Sequence, residues 1–251
     1  MKPFDPPFND PADAVNRLRE DGYILLAPQD VARLAGCTLA ELDALVPSWD
    51  RLAPDNYLKD GGRYRHRRHS CFVQEDGALT QAPHRAHWQP VEYNALHGGM
   101  HRMFEPVEPG TVSQPAWRRL IAALGQLCAR ARPQPRWFVE AHQFRIDTAE
   151  GIGRPTPEGA HRDGVDFVAV LLVARHNIKG GETRLFEADG PNGKRFTMLE
   201  PWTLLLMDDG AVIHESTPIQ PVGPDGHRDT LVLTWRAGGF QGDGQSLPDR
   251  L

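Results

Sequence analysis

Cysteine is scarce in this chain: Cys37, Cys71 and Cys128 are odd in number, widely separated, and form no C-x-x-C pair. Such usage argues against a disulfide scaffold and for a reducing, cytoplasmic setting, with each thiol acting as a small buried hydrophobe. Long apolar runs are missing too. The longest, residues 167–174, is far too short to span a bilayer, and the proline-rich start Met1-Lys2-Pro3-Phe4-Asp5-Pro6-Pro7 lacks the apolar centre of a secretory signal. Nor is there a large excess of one charge. With 28 basic and 33 acidic residues the net charge is −5, which leaves no nucleic-acid footprint, and the local basic clusters fit a small anionic ligand or a solvated face. Internal repeats and low-complexity linkers are absent.

What is present suffices for a real core. At 251 residues, 40% apolar, with six Trp and ten Phe, the chain suits one integrated domain of mainly β or mixed type. The first fifty residues read as helical. Asp10-Pro11 is a cap followed by proline at the first helical position, Gly22 is a stop, and Thr38 with Glu41 makes a capping-box pattern. A further helix is expected over about residues 115–130, with Trp117, Leu120, Ile121, Leu124 and Leu127 on one stripe. The stretch from Asn56 to Pro109 carries no clear period. From Trp137 onward, short apolar segments alternate with Gly180-Gly181, Asp189-Gly190, Asn192-Gly193, Asp209-Gly210 and Asp225-Gly226 turns. Strands are expected over 138–146, 167–173, 183–187, 196–199, 203–207, 212–214 and 230–235. Many short strands at this spacing suggest a jelly roll, in which two sheets fold over one another. The expectation is therefore a helical or mixed part over about 1–135, packed on a jelly-roll core over about 136–240.

Within that core lies His161-Arg162-Asp163, followed at a distance by His214. Two imidazoles and one carboxylate on a single ion leave coordination positions open, the arrangement of non-haem Fe(II) oxygenases. On an extended segment His161 and Asp163 point the same way. Arg228-Asp229-Thr230 opens the last apolar strand, and the same period puts Arg228 and Thr230 on one face, able to grip one carboxylate together. A buried arginine without a partner would be costly, so this position implies an anion.

The order His-x-Asp, distant His, Arg-x-Thr resembles the Fe(II)/2-oxoglutarate-dependent dioxygenases. Residues 155–164, 177–183 and 228–232, together with Tyr64-Arg65-His66-Arg67-Arg68 and Glu92-Tyr93-Asn94, are similar to the bacterial family typified by L-isoleucine 4-hydroxylase. The resemblance implies a double-stranded β-helix (jelly-roll) core with flanking helices. It implies Fe(II) on His161, Asp163 and His214, with 2-oxoglutarate chelating the metal and its far carboxylate on Arg228 and Thr230. It further implies O₂-dependent hydroxylation of an unactivated C–H of a free L-amino acid, with succinate and CO₂ as coproducts. Asp163 favours hydroxylation over halogenation, because the related halogenases replace that carboxylate by a small residue. An amino-acid substrate needs a cation for its carboxylate, offered by Arg65 and Arg67 if that segment is extended. It also needs an acceptor for its ammonium, offered by Glu158. No membrane or nucleic-acid partner is expected, and a homodimer is allowed.

Other readings remain open at this stage. One is a hydroxylase of peptide side chains. Another is a cupin-type metal protein without O₂ activation, which would not need the Arg-x-Thr clamp. His142 and Arg145 fall on opposite faces of one strand, so one of them enters the barrel. The remaining histidines (His66, His69, His84, His87, His97, His101, His176, His227) read as hydrogen-bonded structural residues. His84/His87 and His97/His101 would pair on a metal only if helical, and no carboxylate accompanies them.

Overall fold

The computed structural model describes residues 4–94, 96 and 98–244. A single 3₁₀ turn leads into α1 (Ala14–Glu20). Asp10 caps that turn by accepting from Ala12 N at 2.9 Å, with Pro11 in the first position. Gly22 ends the helix at φ +75°, which glycine adopts without cost. The next residues correct the all-helical expectation: Tyr23–Leu26 form β1, buried at all four positions. The five apolar residues between Gly22 and Pro28 are too few for a helix, yet they suit one strand covered on both faces. α2 (Pro28–Leu34) and α3 (Leu39–Asp43) follow, the latter opened by the expected capping box, with Thr38 and Glu41 bonded reciprocally at 3.2 and 2.8 Å.

The stretch without a clear period contains β2 (Arg65–Glu75) and β3 (Ala78–Gln81). After a short α4 (Pro109–Val112) comes α5 (Pro115–Ala131), whose predicted apolar stripe is buried. The remainder is β4 (Arg136–Asp147), β5 (Phe167–His176), β6 (Ile178–Gly180), β7 (Thr183–Glu187), β8 (Gly193–Phe196), β9 (Leu204–Asp208), β10 (Val212–Ser216), β11 (Ile219–Pro221) and β12 (His227–Arg236). The strand expected at 196–199 instead ends at Phe196, because β8 begins directly at Gly193 to pair with β7.

These strands give a mainly β fold with flanking helices. One antiparallel sheet has the order β1-β9-β5-β12-β4-β2-β3, and the smaller sheets are β10-β7-β8 and β11-β6. The period of two divides the large sheet. Trp137, Val139 and Ala141 of β4, and Leu231, Leu233 and Trp235 of β12, join the α5 stripe in one apolar cluster. The intervening residues, Glu140, His142, Phe144 and Ile146 on β4 and Arg228, Thr230, Val232 and Thr234 on β12, line a pocket on the opposite face. Helix packing thus takes the apolar half of each strand and leaves the polar half for the interior of the roll. Cys71 and Cys128 are buried and unbridged, as read, while Cys37 is half-exposed.

The helix meets the sheet closely at Gly125, where a Cβ would run into the Gln74 side chain and lie 2.8 Å from Trp235 Nε1. Alanine is worth about 1 kcal/mol more than glycine inside a helix, but overpacking costs about 1–3 kcal/mol. Gly125→Ala should therefore lower the urea midpoint at unchanged m-value. A midpoint above wild type would show that this approach has slack.

Candidate metal centre and its pocket

His161 and His214 face each other through two reciprocal backbone hydrogen bonds, each N–H to O at 3.0 Å. The expected extended His-x-Asp segment is reduced to this single bridge on β10, but the side-chain outcome is the same. The two imidazoles stand 4.6 Å apart, and Asp163 reaches back between them, 3.8 Å from His161 Nε2 and 3.7 Å from His214 Nε2. All three ligand atoms lie within 4.8 Å of one another, so one first-row ion with bonds of about 2 Å can engage them after small side-chain rotations.

Hydrogen bonding prepares these groups for a cation. His161 Nδ1 donates to the Gly159 carbonyl at 2.9 Å, which leaves Nε2 as the lone-pair nitrogen facing Asp163. Burial alone would lower the His161 pKa, but the Asp163 and Glu158 carboxylates outweigh it and raise it. A field that attracts a proton to this point also attracts a dication. His214 is pushed far the other way, by burial and by His161, and is neutral as a ligand must be.

Asp163 is held from three sides. Asp209 accepts the backbone N–H groups of Asp163, Gly164 and Val165 at 2.9, 2.8 and 3.1 Å, fixing the turn. Gln241 Nε2 donates to the Asp163 and Gly164 carbonyls at 2.8 Å each, and Gln89 Nε2 donates to Asp163 Oδ1 at 3.2 Å. Burial and the neighbouring Asp163 push Asp209 up to about 6 against the pull of its three donors. None of these supports stands out in sequence, where Asp209-Gly210 reads as an ordinary turn and Gln89 and Gln241 carry no motif.

Arg228 and Thr230 both line the pocket, as their shared strand face requires. Arg228 is 3% exposed, and its Nε and Nη2 have no hydrogen-bond partner. Its pKa falls to about 10, through burial and the adjacent Arg175, which the register sets directly opposite. The buried Arg228 and the half-buried Arg175 stand side by side, each with a buried, unpaired guanidinium N–H, an arrangement that could receive a carboxylate. Thr230, Arg228 and the three-residue centre therefore fit a chelating dicarboxylate whose far end would be held from β12.

Arg65 and Arg67 also face inward, whereas Arg68 points out to the Arg51 and Pro106 carbonyls. Asp55 pairs with Arg65 Nε at 2.7 Å, and Arg67 is clamped between the Phe104 and Phe144 rings at 3.8 and 4.4 Å. Arg65 Nη2 and Arg67 Nε are left without partners. Arg102, which sequence reading missed, is 1% exposed beside them with an unpaired Nε. Glu158 Oε1 is 3.5 Å from His161 Nε2, and its Oε2 is buried and unpaired.

His142 is the residue of its pair that enters the roll, while Arg145 lies outside on Asp229 and Asp50. With His69, His87 and Glu140 it makes a second cluster compact enough for a metal. The 84–87 segment is not helical; β2 and β4 bring the cluster together by pairing His69 with His142. His97 lies outside the described residues. Hydrogen-bond polarity speaks against a metal here. Arginine can only donate, so Arg67 Nη2, 2.8 Å from His142 Nδ1, places the His142 proton on Nε2, facing Glu140. His87 Nδ1 donates to the same Glu140 oxygen at 2.6 Å. The imidazoles hold Glu140 well below the usual carboxylate range despite its burial. This is a proton-filled network around one carboxylate, opposite in sense to the His161 arrangement.

One metal per chain is the expected outcome, read by metal analysis after equilibration with Fe(II) or Co(II): His161→Ala should lose it and His87→Ala should keep it. A second equivalent removed by His87→Ala would overturn that assignment. The chain matches the model of the family described as 2OG-Fe dioxygenase over residues 46–234. Among solved structures it is similar to a bsmA homolog from Methylobium petroleophilum PM1, with 55% identity and a TM-score of 0.89, covering 93% of this chain and 96% of that one. It shares its fold with IDO from Bacillus thuringiensis, at 15% identity and a TM-score of 0.75 over 95% and 99% of the two chains. The Fe(II)/(alpha)ketoglutarate-dependent dioxygenase TqaL shares it as well, at 19% identity and a TM-score of 0.70 over 93% and 89%. No curated protein matches it in sequence. With three quarters of its length under the family model and a donor set suited to Fe(II) and 2-oxoglutarate, the chain belongs to the 2OG-Fe dioxygenase family.

Proposed function

We propose that this protein hydroxylates an unactivated C–H of a free L-amino acid, using Fe(II) held by His161, Asp163 and His214. The observation that carries this reading is the distribution of unpaired buried charge. Partnerless guanidinium N–H groups of Arg228, Arg65, Arg67 and Arg102 line the same pocket as the metal centre, together with Glu158, which has one unpaired oxygen. A pocket of this kind takes two carboxylates and one ammonium, which is what 2-oxoglutarate and an α-amino acid bring together.

When bound, Fe(II) and 2-oxoglutarate supply the oxidising chemistry: O₂ is consumed, one oxygen atom goes to succinate as CO₂ is lost, and the other enters the C–H bond. The chain's own residues bind and aim. Arg228 and Thr230 receive the far carboxylate of the cosubstrate. Arg65 and Arg67 receive the substrate carboxylate, and Arg67 is fixed in place by its two flanking rings. Glu158 accepts the ammonium close to His161, which sets the α-carbon at a short, defined distance from the centre. Val165, Val170 and Val232 close the wall around the reacting carbon and keep water out.

The reading predicts succinate release from 2-oxoglutarate under O₂ that is stimulated by one or a few free L-amino acids from a panel of twenty. Stimulation by peptides alone would overturn it. Arg228→Leu should raise the KM for 2-oxoglutarate by about 10- to 100-fold, the loss of one or two charged hydrogen bonds, with the metal retained. Glu158→Gln should raise the amino-acid KM while leaving that for 2-oxoglutarate unchanged.

A further inference from the structure

The segment carrying Arg102 also carries Gln89. It closes on itself where His87 and Arg102 exchange backbone hydrogen bonds at 3.0 and 2.9 Å. Inside that closure Arg102 Nη2 donates to Gln89 Oε1 at 2.9 Å, and Gln89 Nε2 donates to Asp163 Oδ1 at 3.2 Å. Both residues are buried. The orientation of the Gln89 carboxamide follows from chemistry: a guanidinium only donates, so the amide oxygen must face Arg102 and the NH₂ must face Asp163. Asn94 Nδ2 supports the same orientation with a longer contact to Oε1, 3.3 Å. Arg102 therefore decides which end of the amide Asp163 meets. Arg102 also lines the pocket, and its buried Nε keeps an unpaired donor.

We propose that Gln89 is a positioning residue that ties the Arg102 end of the pocket to the metal centre, so that an anionic group arriving on Arg102 alters the hydrogen bond received by Asp163. This rests on the metal centre of the proposed function. A carboxylate that draws the Arg102 donors towards itself weakens their hold on Gln89 Oε1. The amide then donates less firmly to Asp163. Asp163 thereby regains electron density for the metal only when the substrate side of the pocket is filled. The hydroxylase gains a means of sensing its substrate at the centre without direct contact between the two.

The test needs no substrate, since Arg102→Met withdraws the donor as a bound anion would. The probe is Co(II) alone, whose d–d absorption and affinity report its carboxylate ligand. Wild type, Gln89→Met, Arg102→Met and the double variant are compared, with thermal unfolding recorded for each. Each single variant should shift the band and change Co(II) affinity, by up to about tenfold for an outer-shell contact, and the double variant should match Gln89→Met. Arg102→Gln, which keeps an N–H donor, should restore the wild-type spectrum, and Arg102→Leu, which has none, replaces methionine in the cycle should Arg102→Met not fold. Additive effects, or a spectrum indifferent to Arg102, would overturn the relay. Failure of the wild type to bind Co(II) would instead overturn the metal centre beneath it.

Discussion

Two backbone hydrogen bonds between His161 and His214 carry the site. They join a loop after β4 to the middle of β10, two segments far apart in sequence, and bring the imidazoles side by side before any metal is considered. Every other support is arranged around that bridge. Asp209 holds the backbone of the turn that carries Asp163, Gln241 holds the Asp163 carbonyl, and Gln89 holds its carboxylate. The centre thus hangs on backbone geometry, with side-chain bonds trimming the angle of one carboxylate.

The second constraint is charge. A chain with net charge −5 concentrates Arg65, Arg67, Arg102, Arg175 and Arg228 in or against one interior, with few carboxylates touching them. Burying guanidiniums incompletely paired is unfavourable, and the opposite face of the same strands offsets it. There Trp137, Trp235, Leu231 and Leu233 join the α5 stripe in one buried apolar cluster. The residues that do chemistry and those that hold the fold are alternate members of the same strands.

Much of this was legible in sequence wherever function rests on short, fixed spacings. His161, Asp163, Arg228 and Thr230 could be picked out because period-two faces and an Arg-x-Thr pair are local patterns, and His214 because the resemblance calls for a distant second histidine. The helix caps at Asp10 and Thr38 were legible for the same reason. β2 was not, and the cause is specific. Arg65, Arg67 and His69 point inward while His66 and Arg68 point outward, so both faces are basic and the alternation that marks a strand disappears from the hydropathy pattern. Arg102, Gln89 and Asp209 were invisible because each matters through a partner far along the chain. Glu140 and His87 meet only when β2 and β4 pair and the segment after β3 folds over them.

Arg67 is sandwiched between Phe104 and Phe144, and its guanidinium is immobile for that reason. The consequence reaches into how such an enzyme diversifies. A cation stacked against strand and loop aromatics has little room to shift for a longer or shorter ligand, so a carboxylate held as proposed on Arg67 would have its anchor point set by the scaffold. New specificities must then arise by rebuilding the segment that bears His87, Gln89 and Arg102, around a fixed post, as a lock is re-keyed without moving its bolt.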